Sequence, residues 1–234
     1  NQFSTVLNPD TPLFIYLQGH GTNDGRLMVL GSDQYLTAAD FKDSLDYLQG
    51  VGKYQGREGR ADATVIVMVE ACYSGSFIAQ LSGPRRVILT SAGKDEVYNT
   101  DQSGQSSFSR RFFAKLLEGA SLKKAFDYAR IVQTNMGYPA PHLEDNGDGR
   151  DDATDGLLAS TLYLNGELTW GLKPAVGTIT APPVLDGLSS AAISARNSSS
   201  GNRGPSSSMS TGNSRRAARS RATGAGAAGI SVAV

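Results

Sequence analysis

The 234 residues carry 22 Lys+Arg against 22 Asp+Glu, a formal net charge of zero, yet the charges are segregated. Residues 1–186 hold 16 basic and 22 acidic side chains, a balance of −6, while residues 187–234 hold six arginines and no acid. An acidic body makes no case for nucleic acid as a substrate, no apolar run is long enough to span a membrane, and a single cysteine excludes an internal disulfide.

In chain order, PLFIYLQGHG (Pro12–Gly21) is a short apolar run ending in glycines and predicts a buried strand followed by a tight loop. RLMVLG (Arg26–Gly31) suits a short strand. TAADFKDSLDYLQG (Thr37–Gly50) predicts a helix. Thr37 is its N-cap, Phe41, Leu45 and Leu48 are its apolar stripe, and Gly50 is its stop. TVIVMVE (Thr64–Glu70) is apolar at nearly every position, the pattern of a central parallel strand covered on both faces. YSGSFIAQL is expected to open a helix, and RVILTSA (Arg86–Ala92) is a third strand. Two further helices are expected, over Ser106–Gly119 and Ser121–Thr134. The first places Phe108, Phe112, Phe113, Leu116 and Leu117 on one side. The alternation of strands and helices predicts an α/β domain with ligands at the carboxyl ends of its strands. GYPAPHLEDNGDGRDDATDG is expected to be a polar loop, and order is expected to end near YLNGELTWGL.

Two of the predicted strands deliver chemistry to that edge. One ends in QGHG with His20, the other in EACYSG with Cys72, 52 residues later. Parallel strands end on one edge, so the two side chains can meet. A cysteine nucleophile needs a base, and an imidazole with a pKa of about 6.5 suits the task. A thiol with a pKa of about 8.5 is activated by a neighbouring imidazolium or a helix N-terminus. Gly21 allows close backbone approach, and its N–H with that of Cys72 can form an oxyanion hole. Taken alone, a strand-end cysteine is usually a small buried hydrophobe, and it is the joint pattern with His20 that favours a nucleophile.

FIYLQGHG and VMVEACYSGSF resemble the histidine and cysteine blocks of the legumain (asparaginyl endopeptidase) family, which belongs with the caspase-like cysteine peptidases. ILTSAGKDEVYN and SFSRRFFAKLLEG resemble the segments that follow, and the likeness runs from about residue 12 to 170. The interval between the two blocks suits the roughly 50 residues that separate histidine from cysteine in caspases. The resemblance implies a caspase-like three-layer fold, a mostly parallel central sheet flanked by helices, over residues 1–173. It implies that the first strands of that sheet lie upstream of this chain. It also implies hydrolysis of peptide bonds in protein or peptide substrates through a thioester. His20 is then the general base and acid, and Cys72 the nucleophile. Gly21 and Cys72 supply the oxyanion donors, while Glu70 and Ser91 line the primary specificity pocket. Read from the residues alone, Glu70 is equally a strand-end carboxylate capping backbone or pairing with an arginine. Val97 stands where relatives carry serine, which admits a polar or basic residue as an alternative to asparagine at the first site. Two other functions remain open, a non-catalytic caspase-like binding module of a larger protein and a transamidase.

EDNGDGRDDATD has the spacing of a calcium loop. Glu144, Asn146, Asp148, the Arg150 carbonyl, Asp152 and Asp155 fall at the ligand positions and Gly149 at the turn. A structural calcium ion is therefore one reading, and a solvated acidic loop is the other. His142, just upstream, is expected to be a surface or loop-anchoring residue. Residues 174–234 read as a linker and a tail rich in Ser, Ala, Gly and Arg. They lack the apolar periodicity that offsets ordering entropy, and disorder is expected.

Overall fold

A computed structural model describes residues 11–29, 33–56, 59, 61–98, 107–164, 170–171 and 229–233. Strand β1 (Leu13–Gln18) leads into a small antiparallel sheet of β2 (Gly21–Thr22), β3 (Arg26–Met28) and β4 (Tyr35–Thr37). Next come α1 (Ala38–Gln49), β5 (Val65–Glu70), a 3-10 turn (Ser74–Phe77), α2 (Ile78–Leu81) and β6 (Arg86–Thr90). Helices α3 (Phe108–Leu117) and α4 (Leu122–Asn135), strand β7 (His142–Glu144) and helix α5 (Leu157–Ser160) follow. The last elements are the paired β8 (Tyr163–Leu164) and β9 (Trp170–Gly171), and β10 (Gly229–Ala233).

The main sheet has the order β10-β1-β5-β6-β7. Its three central strands are parallel, and the two edge strands run antiparallel to them. Side chains on adjacent residues point to opposite faces, and each face has its own core. Phe14, Ile66, Met68, Val87 and Leu89 pack under α3 and α4 with Phe108, Phe112, Leu116 and Phe126. Leu13, Ile15, Leu17, Val65, Val67, Val69 and Ile88 pack under α1 and α2 with Phe41, Leu45, Phe77 and Leu81. The result is the expected sheet between two helical layers. β5 lies at its centre, and Val65 to Val69 are entirely buried.

Local signals explain the helix ends. Thr37 Oγ1 accepts the Asp40 N–H at 3.0 Å, and Gly50 closes α1 in the left-handed conformation at φ 65°. Ser107 and Ser121 cap α3 and α4 in the same way. Leu117, expected on the apolar side of α3, is 40% exposed; the buried positions 108, 112 and 116 follow a four-residue spacing that leaves it outside.

A buried ion pair ties the helical layer to the start of β6. Arg86 is fully buried and donates to Asp46 Oδ1 at 2.6 Å, Gln49 Oε1 at 2.8 Å and the Leu81 carbonyl at 3.1 Å.

Strands β7 and β10 depart from the sequence reading. β7 lies inside the expected polar loop, where three residues pair with Ile88–Thr90. Gly229–Ala233, within the stretch expected to be disordered, pair with β1 along Phe14–Gln18. The alternating β-branched residues of GISVA suit a strand. The linker and the rest of the tail, 172–228 and 234, lie outside the described residues, as do residues 1–10.

Candidate active site

The register of the central pair sets the site. Gln18 lies opposite Glu70 in the parallel ladder of β1 and β5, so His20 and Cys72 each fall two residues beyond a paired strand end. The Gly19 N–H extends the ladder by donating to the Glu70 carbonyl at 3.3 Å. The backbones then converge further. A Cβ on Gly21 would stand 2.0 Å from the Cys72 carbonyl oxygen, so only glycine lets the histidine loop lie against the cysteine turn. His20 is exposed, and its carbonyl accepts the Met28 N–H at 2.9 Å, which ties the loop to β3. Cys72 is half-buried.

A third loop, the one after β6, closes on the same turn. A Cβ on Gly75 would stand 2.6 Å from the Lys94 nitrogen. Two buried serines interlock the strand ends. The Ser91 hydroxyl accepts the Ala71 N–H at 3.1 Å, and the Ser74 hydroxyl accepts the Ala92 N–H at 3.0 Å. Tyr73 passes through the left-handed region at φ 56°, an uncommon conformation for a side chain of its size, and its N–H donates to the Glu96 carbonyl at 2.7 Å. Ser91, expected to line a pocket, is therefore seen fully buried with its hydroxyl engaged by the peptide leading to Cys72. Val97, the departure from the resemblance, is 48% exposed.

The segment after Cys72 is shorter than the sequence suggests. In place of a helix there is a 3-10 turn and then the four residues of α2. The helix N-terminus expected to activate the thiol is thus reduced to a short turn entered through Tyr73.

Glu70 is 2% exposed, and both its oxygens are engaged. Tyr98 Oη donates to Oε1 at 2.7 Å, the Ser109 N–H donates to the same oxygen at 3.2 Å, and Tyr16 Oη donates to Oε2. Tyr98 Oη in turn accepts the Phe108 N–H at 2.7 Å. Burial, reinforced by the Glu70 carboxylate, pushes both phenols far above the ordinary tyrosine range, so both remain donors. Glu70 thus caps the first turn of α3, the backbone-capping alternative in the sequence reading. Neither tyrosine was a sequence candidate; they lie 54 and 28 residues from Glu70 in the chain. The thiol of Cys72 donates to the Tyr98 carbonyl at 3.4 Å.

The acidic loop is held by its own backbone. Glu144 Oε1 accepts the Gly147 N–H at 2.5 Å, Asn146 Oδ1 that of Asp148 at 2.8 Å, and Asp148 Oδ1 that of Arg150 at 2.8 Å. Asp152 Oδ1 accepts the Thr154 N–H at 2.8 Å, and Asp155 binds those of Asp145 and Asp152. Among the described residues, no group of three or more His, Cys, Asp or Glu side chains stands close enough to hold an ion. Glu144 is fully buried, with Oε2 unpartnered, and burial raises its carboxyl above the usual range. His142 Nδ1 pairs with Asp151 Oδ2 at 2.5 Å and anchors this loop to β7.

A model of the peptidase C13 family matches residues 6–133, a span that holds His20, Gly21, Glu70, Cys72 and Ser91. No curated protein matches the chain.

Proposed function

The chain belongs to the peptidase C13 family, the legumain family of cysteine peptidases, and on that premise we propose that it is an endopeptidase acting through Cys72 and His20. The observation that carries this reading is the contact of the Gly21 backbone with the Cys72 carbonyl, at the ends of two adjacent parallel strands. It sets the histidine loop beside the only thiol in the chain.

In the proposed reaction His20 takes the thiol proton, and the sulfur attacks the scissile carbonyl of a protein or peptide substrate. The Gly21 and Cys72 N–H groups receive the oxyanion. Each such donor is worth about 3 kcal/mol in a typical case. Collapse expels the amine, protonated by imidazolium, and leaves a thioester on Cys72. Water activated by His20 then hydrolyses it, releasing the acid and the free thiol. Glu70 bounds the primary pocket as a hydrogen-bonded wall, because its carboxylate is already held by three donors. Ser91 acts there by fixing the Ala71 peptide.

A cysteine-directed acylating probe tests the pairing. Labelling falls on Cys72 and is lost in His20→Ala. Normal labelling of His20→Ala sinks the dyad.

A further inference from the structure

Val97 is bracketed by two contacts to the cysteine turn. The carbonyl before it, that of Glu96, accepts the Tyr73 N–H at 2.7 Å, and the carbonyl after it, that of Tyr98, accepts the Cys72 S–H at 3.4 Å. A residue held between those two bonds stands beside the sulfur, and its side chain is 48% exposed. A single apolar side chain elsewhere on a surface needs no explanation. One fixed next to a nucleophile meets what the nucleophile acts on.

The polar groups around it are withdrawn from that role. Glu70 is 2% exposed, and its oxygens receive Tyr98 Oη, the Ser109 N–H and Tyr16 Oη. Ser91 is fully buried, and its hydroxyl accepts the Ala71 N–H at 3.1 Å and donates to the Ala71 carbonyl at 3.4 Å. Glu96 turns its carboxylate back onto the loop after β6, where Oε2 accepts the Gly93 N–H at 2.7 Å. Lys94 and Asp95 are exposed and carry opposite charges.

We propose that Val97 is a specificity-determining residue and that the substrate residue bearing the scissile carbonyl is apolar. This replaces both the asparagine and the polar or basic residue that the sequence admits at the first site. The inference rests on Cys72 as the nucleophile of a peptidase and names the substrate class of that site. An aliphatic side chain of the size of leucine covers Val97 as the carbonyl carbon meets the sulfur, and removal of both apolar surfaces from water favours the encounter. An asparagine amide or a lysine ammonium in the same place gives up water without gaining a partner.

The test offers the full chain peptides that differ only at that residue, leucine, asparagine or lysine. The kcat/KM for leucine exceeds the other two by about tenfold or more. Val97→Ser, an exposed replacement that leaves the melting curve in place, lowers the leucine value about tenfold and narrows the ratio. The same peptides are titrated calorimetrically into the Cys72→Ala chain, which reads the site without chemistry. Turnover that favours asparagine or lysine, or a ratio unchanged by Val97→Ser, overturns the inference and leaves the peptidase reading standing. Leucine-selective binding to Cys72→Ala without turnover in the intact chain rejects the peptidase reading and keeps the inference. Unselective binding, or neither binding nor turnover, overturns the inference.

Discussion

Replacing Gly21 by alanine tests the closest approach in the site. The added Cβ would lie 2.0 Å from the Cys72 carbonyl oxygen, 3.1 Å from its carbon and 3.2 Å from the Ala71 Cβ. Ordinary contact begins near 3.4 Å, so the histidine loop and the cysteine turn must separate by about 1 Å or more, a displacement of the size that costs about 10²-fold in rate. Neither side yields easily. The histidine loop is bonded through the His20 carbonyl to β3, and the cysteine turn is pinned by Ser74 and Ser91. Overpacking of this kind costs about 1–3 kcal/mol of stability, too little to unfold a domain of ordinary stability. The expected variant is folded, melts somewhat lower and turns over a peptide substrate about a hundredfold more slowly. Steady-state kinetics beside a melting curve check it. Wild-type kcat/KM in Gly21→Ala would refute the close approach on which the pairing of His20 with Cys72 rests.

Four further outcomes follow from the geometry. Asp46→Ala leaves the Arg86 guanidinium buried without its anion and costs about 3–5 kcal/mol in urea denaturation, whereas Arg86→Met, which removes the buried charge itself, costs less. Burial pushes the Asp46 carboxyl up, but hydrogen bonds and charge from Lys42 and Arg86 outweigh it and hold the group below its usual range. Its contribution is present above the unfolded value of about 3.9 and is lost as pH falls through the lower folded value, so Asp46→Asn flattens the acid limb of the stability curve. Ser74→Ala and Ser91→Ala each leave a buried N–H without its acceptor and lower stability by about 1–3 kcal/mol, read from chemical denaturation. Calcium is decided by melting curves with the ion and with a chelator. Superimposed curves are the outcome favoured by a loop whose carboxylates already bind its own N–H groups, and a rise of several degrees that Glu144→Gln abolishes would make Glu144 a ligand.

What the sequence showed and what it hid divide by the range of the interaction. The limits of α1 were readable because Thr37 and Gly50 act on residues within a single turn. β5 was readable because a strand buried on both faces is apolar without a break from Val65 to Val69. That the loops bearing His20 and Cys72 leave a common edge followed from one topological rule, that neighbouring parallel strands end together. The sequence did not show that Glu70 is held by Tyr16 and Tyr98, since hydroxyls so distant in the chain leave no periodic trace. β7 was hidden for another reason. Its three residues stand between Pro141 and an acidic loop and take their strand form from β6 rather than from propensity. The helix expected after Cys72 was over-read, because the apolar residues of SFIAQL do not register that Tyr73 enters in the left-handed region and that the turn begins as 3-10.

The central claim is that Cys72 becomes acylated by peptide during turnover. The most direct measurement is the intact mass of the full chain after acid quenching during turnover of a susceptible peptide, followed by fragmentation to place the adduct. The account predicts an increment equal to the acyl half of the peptide, located on Cys72 and absent from Cys72→Ala and His20→Ala. Cleavage that proceeds undiminished in Cys72→Ala would contradict it.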